Sequence, residues 1–76
     1  MLRIEWLAAD VVIHADVLLV GDLKIAAGKA LGRAIYLARK QEATPTSYRV
    51  FDADGNQVSA GIFPLDLLAA KRAGEP

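Results

Sequence analysis

DLKIAAGKALGRAIYLARKQE, from Asp22 to Glu42, is a long segment with helical periodicity, and it is the most informative part of this chain. Asp22 is a good N-cap, since its carboxylate can accept hydrogen bonds from the first free N–H groups of a helix. Pro45 ends the segment, because proline restricts the residue before it and cannot continue the helical hydrogen-bond ladder. The sequence therefore predicts one long helix over residues 22–42.

The side chains of this helix divide into three strips when they are projected at about 100° per residue. The first strip is apolar and predicts the buried face: Leu23, Ala27, Ala30, Leu31, Ala34, Leu37 and Ala38. The second is basic and is predicted on the opposite side: Lys29, Arg33 and Lys40. The third contains Gly28, Gly32 and Arg39 beside Ile35. Each internal glycine costs about 1 kcal/mol relative to alanine, so close approach of another element is one explanation for these two.

Alanine also recurs at every fourth position of the helix, at Ala26, Ala30, Ala34 and Ala38. Small residues at this spacing let another backbone approach closely. The pattern favours packing of the helix on its own sheet, and helix pairing between two subunits is the alternative.

Two strands are predicted before the helix. Residues 2–7 alternate, with Leu2, Ile4 and Trp6 on one side, which is the period of a half-buried strand. Residues 11–20 read VVIHADVLLV and are rich in β-branched side chains, which favour a strand. Because this segment is apolar on both faces, we expect it at the centre of the sheet or covered by other elements. A helix over residues 10–20, capped by Asp10, is the less favoured alternative.

A hairpin is predicted after the helix. Residues 48–51 and 58–63 form its strands, and the turn reads Asp52-Ala53-Asp54-Gly55-Asn56. Asp-Gly supplies the positive φ angle that such turns require. Pro64 stops the second strand and begins a predicted short helix, whose apolar stripe is Leu65, Leu68 and Ala69. The order is ββαββα, which predicts an α+β fold: about four mostly antiparallel strands, with the long helix across one face.

Size and composition predict a single domain over residues 1–76. A chain this short with no cysteine cannot use disulfides, and marginal domains of this kind often gain stability by oligomerising. The hydrophobic fraction of 54% predicts exposed apolar surface, which a subunit interface would explain. Nine basic and nine acidic residues leave no net charge. The absence of a signal peptide and of a membrane-length apolar run favours the cytoplasm.

Three patterns that carry chemistry in other proteins do not fit here. Gly21 to Ala30 follows a strand and opens a helix, but a phosphate-binding loop needs four residues between its glycines and a hydroxyl after its lysine. Asp52 to Asn56 lacks the glycine and glutamate positions of a calcium loop. His14, Asp16 and a serine are the ingredients of a hydrolytic triad, but nothing supplies an oxyanion hole. We therefore expect no catalytic residue, no metal and no cofactor.

His14 and Asp16 fall on one face of their strand, two residues apart. A lone histidine in an apolar strand is usually structural. The alternative is a pH-sensitive contact between His14 and Asp16.

The segment from Arg49 to Val58 reads RVFDADGNQV and follows an alanine-rich helix. Over residues 20–63 the chain resembles small uncharacterised bacterial proteins, common in alphaproteobacteria, that combine such a helix with an x-V-x-D-x-x-G-x-x-V hairpin. The resemblance implies an α+β fold and transfers no functional residue. The long apolar segment 11–20 departs from that group.

The sequence thus predicts a non-enzymatic protein-interaction module that forms a homodimer in the cytoplasm, without membrane contact. The candidate interface residues are Gly28, Gly32 and Ile35, or else the outward apolar positions of residues 11–20. The alternative is a weak nucleic-acid-binding protein that uses the basic helix 22–42. Its candidate phosphate contacts are Lys29, Arg33, Arg39 and Lys40. The neutral net charge argues against this alternative.

Overall fold

The computed structural model describes residues 1–19, 21–40 and 44–64. These residues form four strands and a helix. They are β1 (Leu2–Ala8), β2 (Val11–Leu18), α1 (Leu23–Lys40), β3 (Ser47–Phe51) and β4 (Gln57–Ile62). The α+β class with a long helix is confirmed. The predicted short helix after Pro64 and the predicted helix end at Glu42 lie outside the described residues.

The four strands form one antiparallel sheet in the order β2-β1-β3-β4. β2 is therefore an edge strand, and the predicted central position of residues 11–20 is wrong, as is the helical alternative for 10–20. β1 lies inside the sheet because it pairs with β2 on one side and β3 on the other, and its alternating apolar face is the one that the helix covers. Ile4 and Trp6 on that face have no exposed surface.

The core lies between α1 and one face of the sheet. Its buried residues are Leu2, Ile4, Trp6, Ala26, Ala30, Ala34, Val50 and Phe63. The Trp6 indole N–H donates a hydrogen bond to the carbonyl oxygen of Ala30 at 2.8 Å. Close approach of strand and helix explains this contact, because alanine leaves room for the indole beside the helix backbone. The prediction that the alanines at every fourth helix position (the fourfold repeat) pack on the helix's own sheet is thus confirmed.

The buried face of α1 is rotated from the predicted one. Ala26 is buried, whereas Leu23 and Ala27 are exposed. Ala30, Ala34, Leu37 and Ala38 are buried as predicted. The Trp6 contact explains this rotation. The small alanines of the fourfold repeat face the indole, and the larger leucines of the predicted face do not. Asp22 caps the helix as predicted, with its Oδ1 accepting from the amides of Lys24 at 2.8 Å and Ile25 at 3.4 Å.

The two hairpin turns differ in how well their residues suit the backbone. In the β3–β4 turn Gly55 has a φ of 86°, and Asp52 Oδ1 accepts hydrogen bonds from the amides of Asp54 and Asn56 at 2.9 Å. This confirms the predicted Asp-Gly hairpin. In the β1–β2 turn Ala9 and Asp10 have φ angles of 51° and 67°. Positive φ is unfavourable for alanine, so this turn holds local strain.

Candidate interaction surfaces

The glycine strip of α1 faces solvent. Gly28 and Gly32 are exposed, and a β-carbon added at either position would meet no atom within 4 Å. Ile35 is half-buried and packs against the core. Within the described residues, no close contact of the chain itself accounts for the two glycines. Gly32 and Ile35 instead border a shallow groove with Tyr36, Arg39 and Lys40.

The basic residues of α1 do not form the solvated stripe that the projection predicts. Lys29 Nζ lies 3.2 Å from Asp16 Oδ2 of β2, so this lysine flanks the sheet edge. The cationic groups of Arg33 and Lys40 lie 5.3 Å and 5.5 Å from the centre of the Tyr36 ring. Arg39 is exposed beside the groove. The rotation of the helix about its axis explains the difference, because it moves Lys29 from the outer surface to the flank.

Strand β2 exposes apolar side chains along the edge of the sheet. The exposed fractions are 62% for Val11, 42% for Val12 and 42% for Val17. Leu19, just beyond the strand, is 82% exposed. The β1–β2 pairing also carries an irregularity between Trp6 and Leu7, where Ile13 has no partner in the register. An apolar edge is therefore the surface of β2 available to another molecule.

Asp16 is the acidic side chain of this edge strand and makes two contacts. Its Oδ1 accepts a hydrogen bond from the Val17 amide at 2.8 Å, and its Oδ2 pairs with Lys29. The pKa of Asp16 is below its usual value. The main cause is the hydrogen bond from the Val17 amide, and the second is the hydrogen bond from Lys29. In the described part of the chain Asp16 thus pairs with Lys29 and not with His14, the alternative contact, although His14 and Asp16 both lie on the helix side of the sheet.

His14 lies against Trp6, which is opposite it on β1. The ring centres are 5.0 Å apart and the planes are inclined at 55°. Among the described residues, the buried Nε2 atom of His14 has no hydrogen-bond partner. The ring contact with Trp6 fits a structural role for His14, whereas the buried Nε2 atom is left unsatisfied within the described part of the chain.

The sheet face opposite the helix carries an ionic cluster that was not predicted from the sequence. Arg49 Nη2 lies 2.8 Å from Glu5 Oε1, and Arg3 Nε lies 3.2 Å from Glu5 Oε2. Burial raises the pKa of Glu5, but hydrogen bonds and charge from Arg49 and Arg3 outweigh it, and the net shift is downward. Glu5 and Arg49 are opposite each other in the β1–β3 register. Only the strand pairing brings them together, so no local pattern could have found the pair.

The sheet order separates the components of a hydrolytic triad. His14 lies on the edge strand β2, whereas Ser59 lies on β4 at the opposite edge. Ser47 lies on β3, two strands from β2. Among residues 1–19, 21–40 and 44–64, no group of three His, Cys, Asp or Glu side chains is placed to hold a metal ion.

Comparison of the chain with protein-family models, with curated proteins and with solved structures returned no match. Within the described part of the chain, α1 lacks the length of apolar sequence needed to cross a membrane.

Proposed function

We propose that this chain is a non-enzymatic protein-interaction module of the cytoplasm, that it forms a homodimer, and that the edge strand β2 is its contact surface. The observation that carries the proposal is the exposed apolar edge of β2. An edge strand presents unpaired N–H and C=O groups, to which another strand can bind. Natural edges are often protected by charged side chains, proline or bulges. β2 has no lysine and no proline, and its protection is limited to the single charge of Asp16 and the irregularity at Ile13.

A second copy of the same chain is the partner that fits this edge most simply. In a twofold dimer the same surface of each subunit meets its copy, and an antiparallel strand pair has this symmetry. Burial of Val11, Val12, Val17 and Leu19 would stabilise the dimer at about 25 cal/mol for each Å² of apolar surface removed from water. A small domain without cysteine gains most from such an added interface.

The strip of Gly28, Gly32 and Ile35 is the second surface in this proposal. The open space around both glycines supports it, because a partner helix can approach a strip without β-carbons closely. Ile35 contributes less than expected, since part of its side chain already packs against the core.

A lysine placed on each edge of the sheet tests the proposal. Val17 on β2 and Val58 on β4 are 42% and 41% exposed, so they form a matched pair. We expect Val17→Lys to weaken the dimer by at least tenfold in Kd, roughly 1.4 kcal/mol, because the charge must be desolvated in the interface. Val58→Lys is the control and leaves the Kd unchanged. Sedimentation equilibrium measures both.

Two results of this experiment would contradict the assignment of β2. If Val58→Lys weakens the dimer and Val17→Lys does not, the interface lies at β4. If neither does but Gly32→Lys does, the interface is the helix strip.

A second candidate function is weak nucleic-acid binding through α1. The supporting observation is Tyr36, which is 47% exposed and lies between Arg33 and Lys40. An exposed aromatic ring beside cations is the arrangement on which single-stranded bases stack. The Lys29–Asp16 pair argues against it, because it neutralises one of the four candidate phosphate contacts.

The salt dependence of oligonucleotide binding tests this second candidate. Phosphate contacts predict a steep loss of affinity with salt. Tyr36→Ala should weaken binding to a single strand by about 1–3 kcal/mol, which is the contribution of one stacked base. Lys24→Gln, on another part of the helix surface, is the control. Absence of binding at low salt would exclude this function.

A further inference from the structure

We infer that the homodimer forms by antiparallel pairing of β2 with β2 of a second copy, in the register that places Ala15 opposite Ala15 and His14 opposite Asp16. This inference rests on the proposed dimer and specifies its geometry. The two copies then share one continuous eight-stranded sheet, and two reciprocal His–Asp pairs lie at the centre of the contact.

Symmetry limits the registers that are possible. The twofold axis relates the two copies, so a residue pair formed in one direction is also formed with the two copies exchanged. At the axis itself, a residue therefore lies opposite the same residue of the other copy. The regular part of β2 runs from His14 to Leu18. An axis at Val17 or Leu18, at the end of the strand, would pair three residues of β2 or fewer with the second copy, so the remaining positions are His14, Ala15 and Asp16. Ile13 marks the end of this regular part, since it has no partner on β1.

Charge selects among these registers. An axis at Asp16 places two carboxylates directly opposite each other, and like charges in that position are destabilising. An axis at His14 leaves Asp16 opposite Val12, an apolar residue. An axis at Ala15 places each Asp16 opposite the His14 of the other copy, with side chains on the same face about 5 Å apart. Val17 then lies opposite Ile13, which makes an apolar pair.

The contacts of Asp16 in the single chain are compatible with the same register. Asp16 Oδ1 accepts from the Val17 amide in the single chain. In the dimer that amide faces the carbonyl of Ile13 in the second copy. Oδ1 is then free for His14 of that copy, while Oδ2 keeps its contact with Lys29.

Single cysteines test the register directly, because the chain has no cysteine of its own. In Ala15→Cys the two Cα atoms lie about 5.5 Å apart across the axis, within reach of a disulfide. In the control Val17→Cys they are offset by four residues, which is more than about 13 Å. After mild oxidation, we expect at least about tenfold more covalent dimer for Ala15→Cys than for Val17→Cys on a non-reducing gel.

If Ala15→Cys does not fold, a mixture of His14→Cys and Asp16→Cys chains gives the same test, with covalent dimer expected only in the mixture. The mass of the unoxidised variants is also measured by sedimentation, which distinguishes failure of the proposed register from failure of the proposed homodimer. If they are dimeric but Ala15→Cys cross-links no better than Val17→Cys, the register is wrong and the homodimer stands. If the parent and both variants are monomeric at every concentration, the register and the homodimer are both wrong.

Discussion

Gly61 is the residue at which one methyl group would do the most damage. A β-carbon there would lie 2.5 Å from Cε1 and 2.8 Å from Cζ of Tyr48. The Tyr48 ring cannot move away freely, because it packs on Phe63 with ring centres 5.2 Å apart. Gly61 thus lets the aromatic ring lie flat across the neighbouring strand.

We therefore expect Gly61→Ala to lower the free energy of unfolding by about 1–3 kcal/mol, the usual cost of overpacking. Gly32→Ala is the matched control. It adds the same methyl group to a helix position with open space in the single chain, and at a concentration at which the chain is a monomer we expect it to raise the free energy of unfolding by about 1 kcal/mol. Urea denaturation measures both. Equal effects of the two substitutions would show that the Tyr48 contact is not tight.

At the scale of elements, the β1–β2 hairpin is held by a turn whose residues suit it poorly. Ala9 and Asp10 both have positive φ, where two-residue turns usually use asparagine and glycine. This turn positions the whole edge strand, so its strain bears directly on the proposed interface.

Replacement of Ala9 by asparagine should relieve part of this strain. We expect Ala9→Asn to raise the free energy of unfolding by about 0.5–1 kcal/mol, because asparagine tolerates the left-handed region better than alanine does. Ala53→Asn, in the other turn and without a positive φ, should change it by less than about 0.5 kcal/mol. A thermal melt that shows no gain for Ala9→Asn over Ala53→Asn would contradict the positive φ at Ala9.

The elements also show what could be predicted from the sequence. The cap at Asp22 and the Asp52–Gly55 turn were predictable because each depends on residues within one turn of chain. The edge position of β2 was not, because strand order depends on pairing between β1 and β3, which are far apart in sequence. For the same reason the Glu5–Arg49 pair and the Lys29–Asp16 pair had no sequence signal.

At the scale of the whole molecule, two lowered carboxyl pKa values link stability to pH. The pKa values of Glu5 and Asp16 are both below their usual values in the folded chain. A carboxyl of this kind stabilises the fold above its unfolded pKa, near 4, and loses that contribution as the pH falls through its folded pKa. The fold should therefore lose stability as the pH drops below about 4.

Glu5→Gln isolates one of these contributions. It removes the ion pairs with Arg49 and Arg3, so we expect lower stability than the parent at pH 7. The difference should shrink as the pH falls below about 4, where Glu5 of the parent also becomes neutral. Denaturation at a series of pH values measures this. A difference that stays constant down to about pH 2 would mean that the Glu5 pKa is not lowered.

At this scale we propose that a second copy of the chain covers the exposed edge of β2. The most direct test is the solution mass by light scattering over a concentration series. We expect a rise to twice the chain mass of 8.1 kDa as concentration increases, with a return toward 8.1 kDa on dilution. A mass of 8.1 kDa at all concentrations would contradict it, because the apolar edge would then remain exposed.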